Sequence, residues 1–472
     1  MRGPPRGNDD GVVSPWVLPV SILGSSLGFI DSSVVNIALP TIQDALNGSL
    51  ATIQWVTNGY LLTLASLVLL GGSIGDRIGT LRAFRFGLSV FVAASILCGV
   101  AESASMLVAA RLIQGAGAAL LIPTSLALIS QAYKGEERGR AIGTWAASGG
   151  LLMALGPPLG GWLVDAYGWR SIFFINVPLA ALAIGLSIMI PSVGRSSDRR
   201  SLDVPGAIFA VAALAALTYG LIALGEARVA VGIAVVALAI PLMVIFLIVE
   251  HRSVAPMMPL KLFANRTFAG ANTLTVILYG GLGAAIFLLP YSMIRVHHYS
   301  ATAAGLAFLP LSLILGLGSR LSGGFAGRVG NRLPLILGPL IAALGFAMLA
   351  LLVRGESYLG TYLPGLLLIG VGMTLAVPAL TTAVFDSVSD GESGAASGIN
   401  NAAARTGSLI ATAALGIAFG NGSASALTAE VLSNAYVVVM WCGGAAAVAS
   451  AVIAGFTIQR KPALTAQSPS DR

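Results

Sequence analysis

Residues 16–39 read WVLPVSILGSSLGFIDSSVVNIAL, an almost unbroken apolar run whose single charge is Asp31. A run of this length matches the ~20 residues that an α-helix needs to cross a bilayer. It lacks the strict alternation of a barrel strand, so a helix is the form that satisfies its backbone in lipid. At about 100° per residue, Asp31, Gly24, Gly28, Ser32, Ser25 and Asn36 fall within an arc of about 140°. That arc is expected to face protein or water, leaving the Ile, Leu and Phe residues opposite for lipid.

The composition of the whole chain agrees. Of 472 residues 56% are hydrophobic and only 10% charged, with a mean hydropathy of +0.88, whereas a soluble domain is about a quarter charged. Length therefore counts membrane spans. The net charge of +7 is no nucleic-acid signal, because the basic residues lie in short stretches between apolar runs, where they set topology. Cys98 and Cys442 sit in separate apolar runs and are expected to be free thiols. Met1 to Ser14 is polar, with Pro4, Pro5, Asp9 and Asp10, and no cleavage site follows a short apolar core, so the first helix is expected to be retained.

Fourteen spans are predicted, at 16–39, 53–71, 83–101, 106–131, 140–164, 171–190, 204–224, 229–249, 268–291, 302–319, 333–353, 359–384, 394–419 and 432–457. Arg2 and Arg6 and every second loop thereafter are basic: Arg77/Arg82/Arg85, Lys134/Arg138/Arg140, Arg195/Arg199/Arg200, Arg252/Lys261/Arg266 and Arg320/Arg328/Arg332. Arg405 and the C-terminal Arg460, Lys461 and Arg472 are assigned to the same side. Only Arg170, Arg228, Arg295 and Arg354 lie opposite, and Arg111 falls inside a span. Both termini are thus expected in the cytoplasm. The dominance of Arg over Lys, with abundant Ala and Gly, fits a high-GC bacterial genome and hence a bacterial inner membrane.

Gly72-Ser-Ile-Gly-Asp-Arg-Ile-Gly79, after the second span, recurs weakly as Gly323-Gly-Phe-Ala-Gly-Arg-Val-Gly330 after the tenth. The copies fall at matching places in two six-helix units if spans 7 and 8 are inserted. The expected fold is all-α, a polytopic membrane protein with a substrate site between two bundles near the midplane. Its parts are an N-tail (1–15), an N-terminal bundle (16–190), two extra helices with flanking loops (191–267), a C-terminal bundle (268–457) and a C-tail (458–472). The extra pair is expected to pack peripherally.

Charge within the bilayer is costly and marks function. The chain offers one clear intramembrane acid, Asp31, and one clear base, Arg111, which shares an arc of about 100° with Gln114, Gly115, Ala118 and Ser125. They are placed roughly 12 Å and 8 Å below the outer surface and could meet in one cavity. An acid pulled one way by low dielectric and the other by a guanidinium can exchange its proton during a cycle; a purely structural ion pair is the alternative. Gly156-Pro157-Pro158-Leu159-Gly160-Gly161 removes side chains and hydrogen-bond donors together, favouring a bend and close helix contact. Asn36, Trp55, Asn58, Tyr60 and Gln114 are candidate cavity lining. His251, His297 and His298 stand near loops, with no HExxH, Asp-rich cluster or P-loop lysine, so no metal, cofactor or enzyme chemistry is indicated.

Several of these stretches resemble one family. Phe29-Ile-Asp31-Ser-Ser-Val-Val-Asn36-Ile-Ala-Leu-Pro40, Gly72 to Arg82, Arg111-Leu-Ile-Gln114-Gly115 and Gly156 to Gly161 are similar to signatures of major facilitator drug:proton antiporters. Trp169-Arg-Ser-Ile-Phe-Phe-Ile-Asn176-Val-Pro178 resembles the opening of helix 6 in the fourteen-helix, EmrB/QacA-like branch. Thr80 and Leu81 depart from the usual basic residues of the loop motif, and Leu152 from the usual Gly of the helix-5 motif. The resemblance implies an exporter driven by the proton gradient, with small amphipathic or cationic substrates, protons and lipid as partners and no nucleic acid. Asp31 would bind a proton or cation, Arg111 would couple it, and Asp76 and Arg77, with Gly72 and Gly79, would latch the loop. Proton symport or facilitated uptake on the same scaffold is the alternative, and a membrane-embedded enzyme a remote one.

Overall fold

The computed structural model describes residues 14–191, 202–353, 355, 357–389, 392–419 and 428–459. Both tails and the loop around 192–201 lie outside the described residues, and with them Arg2, Arg6, Arg195, Arg199, Arg200, Arg354, Arg460, Lys461 and Arg472. The described residues contain fourteen long helical segments: α1 Val17–Ala45, α2 Leu50–Ile78, α3 Thr80–Gly99, α4 Ala104–Ala132, α5 Gly135–Tyr167, α6 Ser171–Ile188, α7 Val204–Gly225, α8 Val229–Arg252, α9 Arg266–Arg295, α10 (Ala301–Leu306 continued by Leu309–Val329), α11 Arg332–Leu351, α12 Leu363–Asp386, α13 Ser393–Ala418 and α14 Ala429–Thr457.

Thirteen of them are long and apolar enough to cross a membrane. The remaining one, α13, has 26 residues but is diluted by Asn400, Asn401, Arg405 and several Gly and Ser. Most helices outrun their predicted spans, because intrahelical hydrogen bonding continues into polar flanks that hydropathy does not register. One arginine is corrected by this: Arg320 lies within α10 and not in a basic loop, while Arg405, inside the predicted span 394–419 but assigned to the cytoplasmic side, lies midway along α13.

Local chemistry explains the ends. Ser49 and Thr52 form a reciprocal capping box on α2, and Ser103, Asn265, Ser300 and Thr428 accept from the first turns of α4, α9, α10 and α14; such caps satisfy amides that a helix start leaves free. The two copies of the repeat both close a helix with a glycine at positive φ, Gly79 at 99° and Gly330 at 82°, where a Cβ would be strained.

Packing joins α2 and α3 to α4, α1 to α5, α9 to α13 and α14, and α11 to α12 and α14. Helix α7 packs on α8 and also on α2 and α13. Of the extra pair, α8 packs on α7 while α7 lies over the direct contact between α2 and α13, where Gly225 meets Gly416 and the Tyr219 ring lies 6.4 Å from that of Trp55. At the other edge of the pair the amide of Met258 donates to Glu250 Oε2 (3.0 Å) and that of Gly206 to Asp203 Oδ1 (2.9 Å).

The end of the bundle carrying Arg77, Lys134, Lys261 and Arg332 is the basic end. At the opposite, far end, hydrogen bonds cross between α1 and α9: Arg295 pairs with Asp44 (2.5 Å) and donates to the Pro40 carbonyl (3.0 Å), and the Tyr291 hydroxyl meets Gln43. Between α5 and α10, Asp165 accepts from the amides of Ala301 (3.2 Å) and Thr302 (2.8 Å) and from the Thr302 hydroxyl (2.6 Å). A Cβ on Gly161 would overlap the Ala301 backbone, and one on Gly305 the Pro157 backbone. Towards the basic end a Cβ on Gly143 or Gly150 of α5, or on Gly316, Gly323 or Gly324 of α10, would meet nothing within 4 Å. This seam is closed at the far end and open towards the basic end.

Candidate functional site: a sealed acid–guanidinium pair

Arg111 and Gln114 are three residues apart on α4 and so share a face. Gly115 beside them lets α2 approach until an added Cβ would overlap the Tyr60 carbonyl oxygen. That approach brings the Tyr60 ring to 4.3 Å from the Arg111 guanidinium carbon, a cation–π contact, while Arg111 Nε donates to the Val56 carbonyl (3.1 Å). Arg111 Nη1 then reaches α1 and pairs with Asp31 Oδ2, donating also to Gln114 Oε1 (2.7 Å).

The second oxygen of Asp31 is held as well. Oδ1 accepts from Gln114 Nε2 (2.8 Å) and, more weakly, from Asn176 Nδ2 on α6 (3.3 Å). Asn176 and Gln114 also donate to Ser95 Oγ on α3, at 2.9 and 3.3 Å, and Ser95 passes its own proton to the Phe173 carbonyl (2.9 Å). Five helices of the N-terminal half, α1, α2, α3, α4 and α6, thus share one network around this carboxylate, with α4 and α6 bonding it directly.

Asp31 and Arg111 are each only 1% exposed. The expected meeting of the two residues is found, but in a sealed compartment and not on an open cavity wall. Asp31 stands at the middle of the 29-residue α1, ~21 Å along the helix from either end. Pairing two buried ions roughly offsets their desolvation, whereas deleting one partner strands the other at a cost of about 3–5 kcal/mol. The arrangement is therefore sensitive to the charge of Asp31.

The remaining candidates fall in different places. Tyr60 is buried under Arg111, its hydroxyl donating to the Gly28 carbonyl (3.2 Å). Gln114 belongs to the buried network. Asn58 is fully buried with both amide atoms unpartnered, and Asn36 donates to Ser32 O (3.3 Å) with its own oxygen unpartnered. Trp55 packs against the inserted helix α7. Asp76 and Arg77 are exposed at the basic end, and Thr80 accepts a hydrogen bond from Gln131 (2.8 Å). A Cβ at Gly75 would sit 3.0 Å from Thr124 and one at Gly72 3.7 Å from Pro123, so this turn lies on α4.

The glycine run of α5 serves two neighbours. Gly156 faces Ser33 and Gly160 faces Val34, both of α1, while Gly161 and Pro157 face α10. Asn176, Ser95 and Asp165 escaped the sequence reading as site residues. Asn176 was visible as a polar residue in an apolar helix, but nothing local revealed its partner 145 positions away. Cys98 and Cys442 are free, and the Cys98 thiol lies 3.5 Å from Gln114 Oε1.

Comparison with known proteins gives these features a family. Over 398 residues the chain is 35% identical to the multidrug resistance protein Stp of Mycobacterium tuberculosis, covering 84% of this chain and 74% of that one. It is 32% identical over 422 residues to a methylenomycin A resistance protein of Streptomyces coelicolor (88% and 87% covered) and 31% identical over 411 residues to the tetracenomycin C resistance and export protein of Streptomyces glaucescens (85% and 76%). Among solved structures, a peptide transporter POT in complex with sulfate superposes with a TM-score of 0.69 at 16% identity, covering 95% of each chain. A POT family transporter with a thioalcohol-conjugated peptide gives 0.70 at 14% identity, covering 92% and 94%. The Major Facilitator Superfamily profile matches residues 21–412, and this chain belongs to that family of membrane transporters.

Proposed function

We propose that the chain is a proton-coupled exporter of small amphipathic molecules, working by alternating access in a bacterial cytoplasmic membrane with its basic end and both termini in the cytoplasm. The observation that carries this is the Asp31 carboxylate, buried in the middle of the membrane and neutralised by Arg111 alone among charged groups. Protonating Asp31 removes the charge that holds Arg111 and loosens α1 from α4. Helix α1 lies against Gly156 and Gly160 of α5, and α5 against α10 through Gly161 and Asp165. A change at Asp31 thus has a packed route to the seam between the halves.

The basic-end opening is the inward-facing state in this reading, ready to take a drug from the cytoplasm. A proton entering from outside resets the cycle. The relatives' names, which speak of resistance and export, support outward transport. Everted vesicles test it: addition of methylenomycin A, tetracenomycin C or a fluorescent dye should dissipate a preformed pH gradient with the wild type. Uptake in intact cells without loss of the gradient in vesicles would reverse the direction.

A further inference from the structure

Arg405 is the thirteenth of the 26 residues of α13, so it stands ~18 Å from one end of the helix and ~20 Å from the other. It is half-buried, on a helix that bridges the halves: Gln54 Nε2 of α2 donates to the Thr412 (2.8 Å) and Ala413 (3.2 Å) carbonyls of α13, and α13 packs along α9 as well. Arg405 therefore stands on a helix of the seam between the halves. On its own face of the helix, Ser408 donates to the Tyr279 carbonyl of α9 (3.1 Å).

Among the described residues Arg405 has neither an ion-pair partner nor a hydrogen bond. The contrast with Arg111 is sharp. Arg111 is saturated by Asp31, Gln114, the Val56 carbonyl and the Tyr60 ring, so the Asp31–Arg111 pair has no net charge and no exposed surface. Among the residues whose side chains are described, Arg405 is thus a mid-helix positive charge without a counter-charge, and it is partly accessible. An intramembrane arginine is costly unless it faces water or an anion, and its planar fork favours carboxylates and similar oxyanions.

We propose that Arg405 is the anion-binding group of the transport cavity and that the substrates carry an acidic group, a carboxylate or an ionised phenol or enol, on an apolar body. This rests on the export reading for the role of the cavity, and it replaces a cationic substrate with an anionic one. Among the described residues the one acid midway along a spanning helix, Asp31, is sealed beneath Arg111.

Equilibrium binding to the full-length protein in lipid nanodiscs tests it with three probes of one shape: 1-pyrenebutyrate, 1-pyrenebutanol and 4-(1-pyrenyl)butyl-trimethylammonium. The wild type should bind the carboxylate at least ~10-fold more tightly than either of the others, as a charge-assisted pair allows. Arg405→Gln should bring the carboxylate down to the level of the alcohol and leave the alcohol unchanged. Arg405→Lys, which keeps the charge without the fork, should retain an intermediate preference. Tighter binding of the cation, equal binding of all three, or an equal loss for all three in Arg405→Gln would overturn the proposal. No gradient is present in this assay, so failure of proton-coupled export would leave the carboxylate preference standing, and the two ideas fail separately.

Discussion

Asp165→Ala should unlatch the far end of the transporter. The carboxylate accepts three hydrogen bonds from the first turn of α10, at 3.2, 2.8 and 2.6 Å, and so caps that helix from the opposite half. Net values of about 0.5–1.5 kcal/mol per bond would sum to several kcal/mol, but Asp165 is exposed, and helix caps replaced by Ala lose about 0.5–2 kcal/mol. Taking ~2 kcal/mol, the ratio of closed to open far ends falls ~30-fold. If the closed state starts near 99:1, roughly a quarter of molecules should open. Spin labels on Tyr167→Cys and Leu359→Cys, positions that are 69% and 67% exposed, report this by double electron–electron resonance in a Cys442→Ala background; Cys98 is fully buried and unreactive. A second, longer distance should appear in Asp165→Ala and shrink again in Asp165→Glu. An unchanged distance distribution would refute the capping argument.

Gly161→Val should block the seam, because even a Cβ there overlaps the Ala301 backbone; export should fall at least ~10-fold while the protein still elutes as a folded species, and wild-type export would contradict the contact. Asp76→Asn should lower the transport rate with substrate affinity nearly unchanged, since Asp76 stands at the exposed basic end and would bias the conformational equilibrium from there; rates and affinities measured in vesicles decide it, and a wild-type rate would remove the latch role. For sidedness, a cysteine at Tyr167 should react with a membrane-impermeant maleimide in intact cells and one at Lys261, 74% exposed in its side chain, only after permeabilisation. The reverse pattern would invert the topology.

The spans were legible because bilayer burial leaves long apolar runs, and Asp31 and Arg111 because a charge in such a run is rare. What the sequence could not show is how those charges are satisfied. Ser95 and Asn176 are ordinary helix residues until α6 brings Asn176 to the carboxylate and α3 brings Ser95 to Asn176. Arg405 is assigned to the cytoplasmic side although the predicted span 394–419 contains it; Asn400, Asn401, Gly407 and Ser408 lower the hydropathy of α13, and two of them, Asn400 and Ser408, bond across to α9. Trp55 reads from the sequence only as candidate cavity lining, and its ring lies beside Tyr219 of the inserted α7. Asp165 lies one position beyond the predicted span 140–164, and only the arrival of α10 makes it a cap.

The central claim is that the sealed Asp31 carboxylate exchanges the driving proton. In proteoliposomes holding an entrapped pH dye, substrate added to the wild type should move protons across the membrane. Asp31→Asn should abolish that proton signal while the protein remains folded by size-exclusion chromatography, and Asp31→Glu should restore part of it. Substrate-driven proton movement at the wild-type rate in Asp31→Asn would contradict the account and leave Asp31 and Arg111 as a structural ion pair.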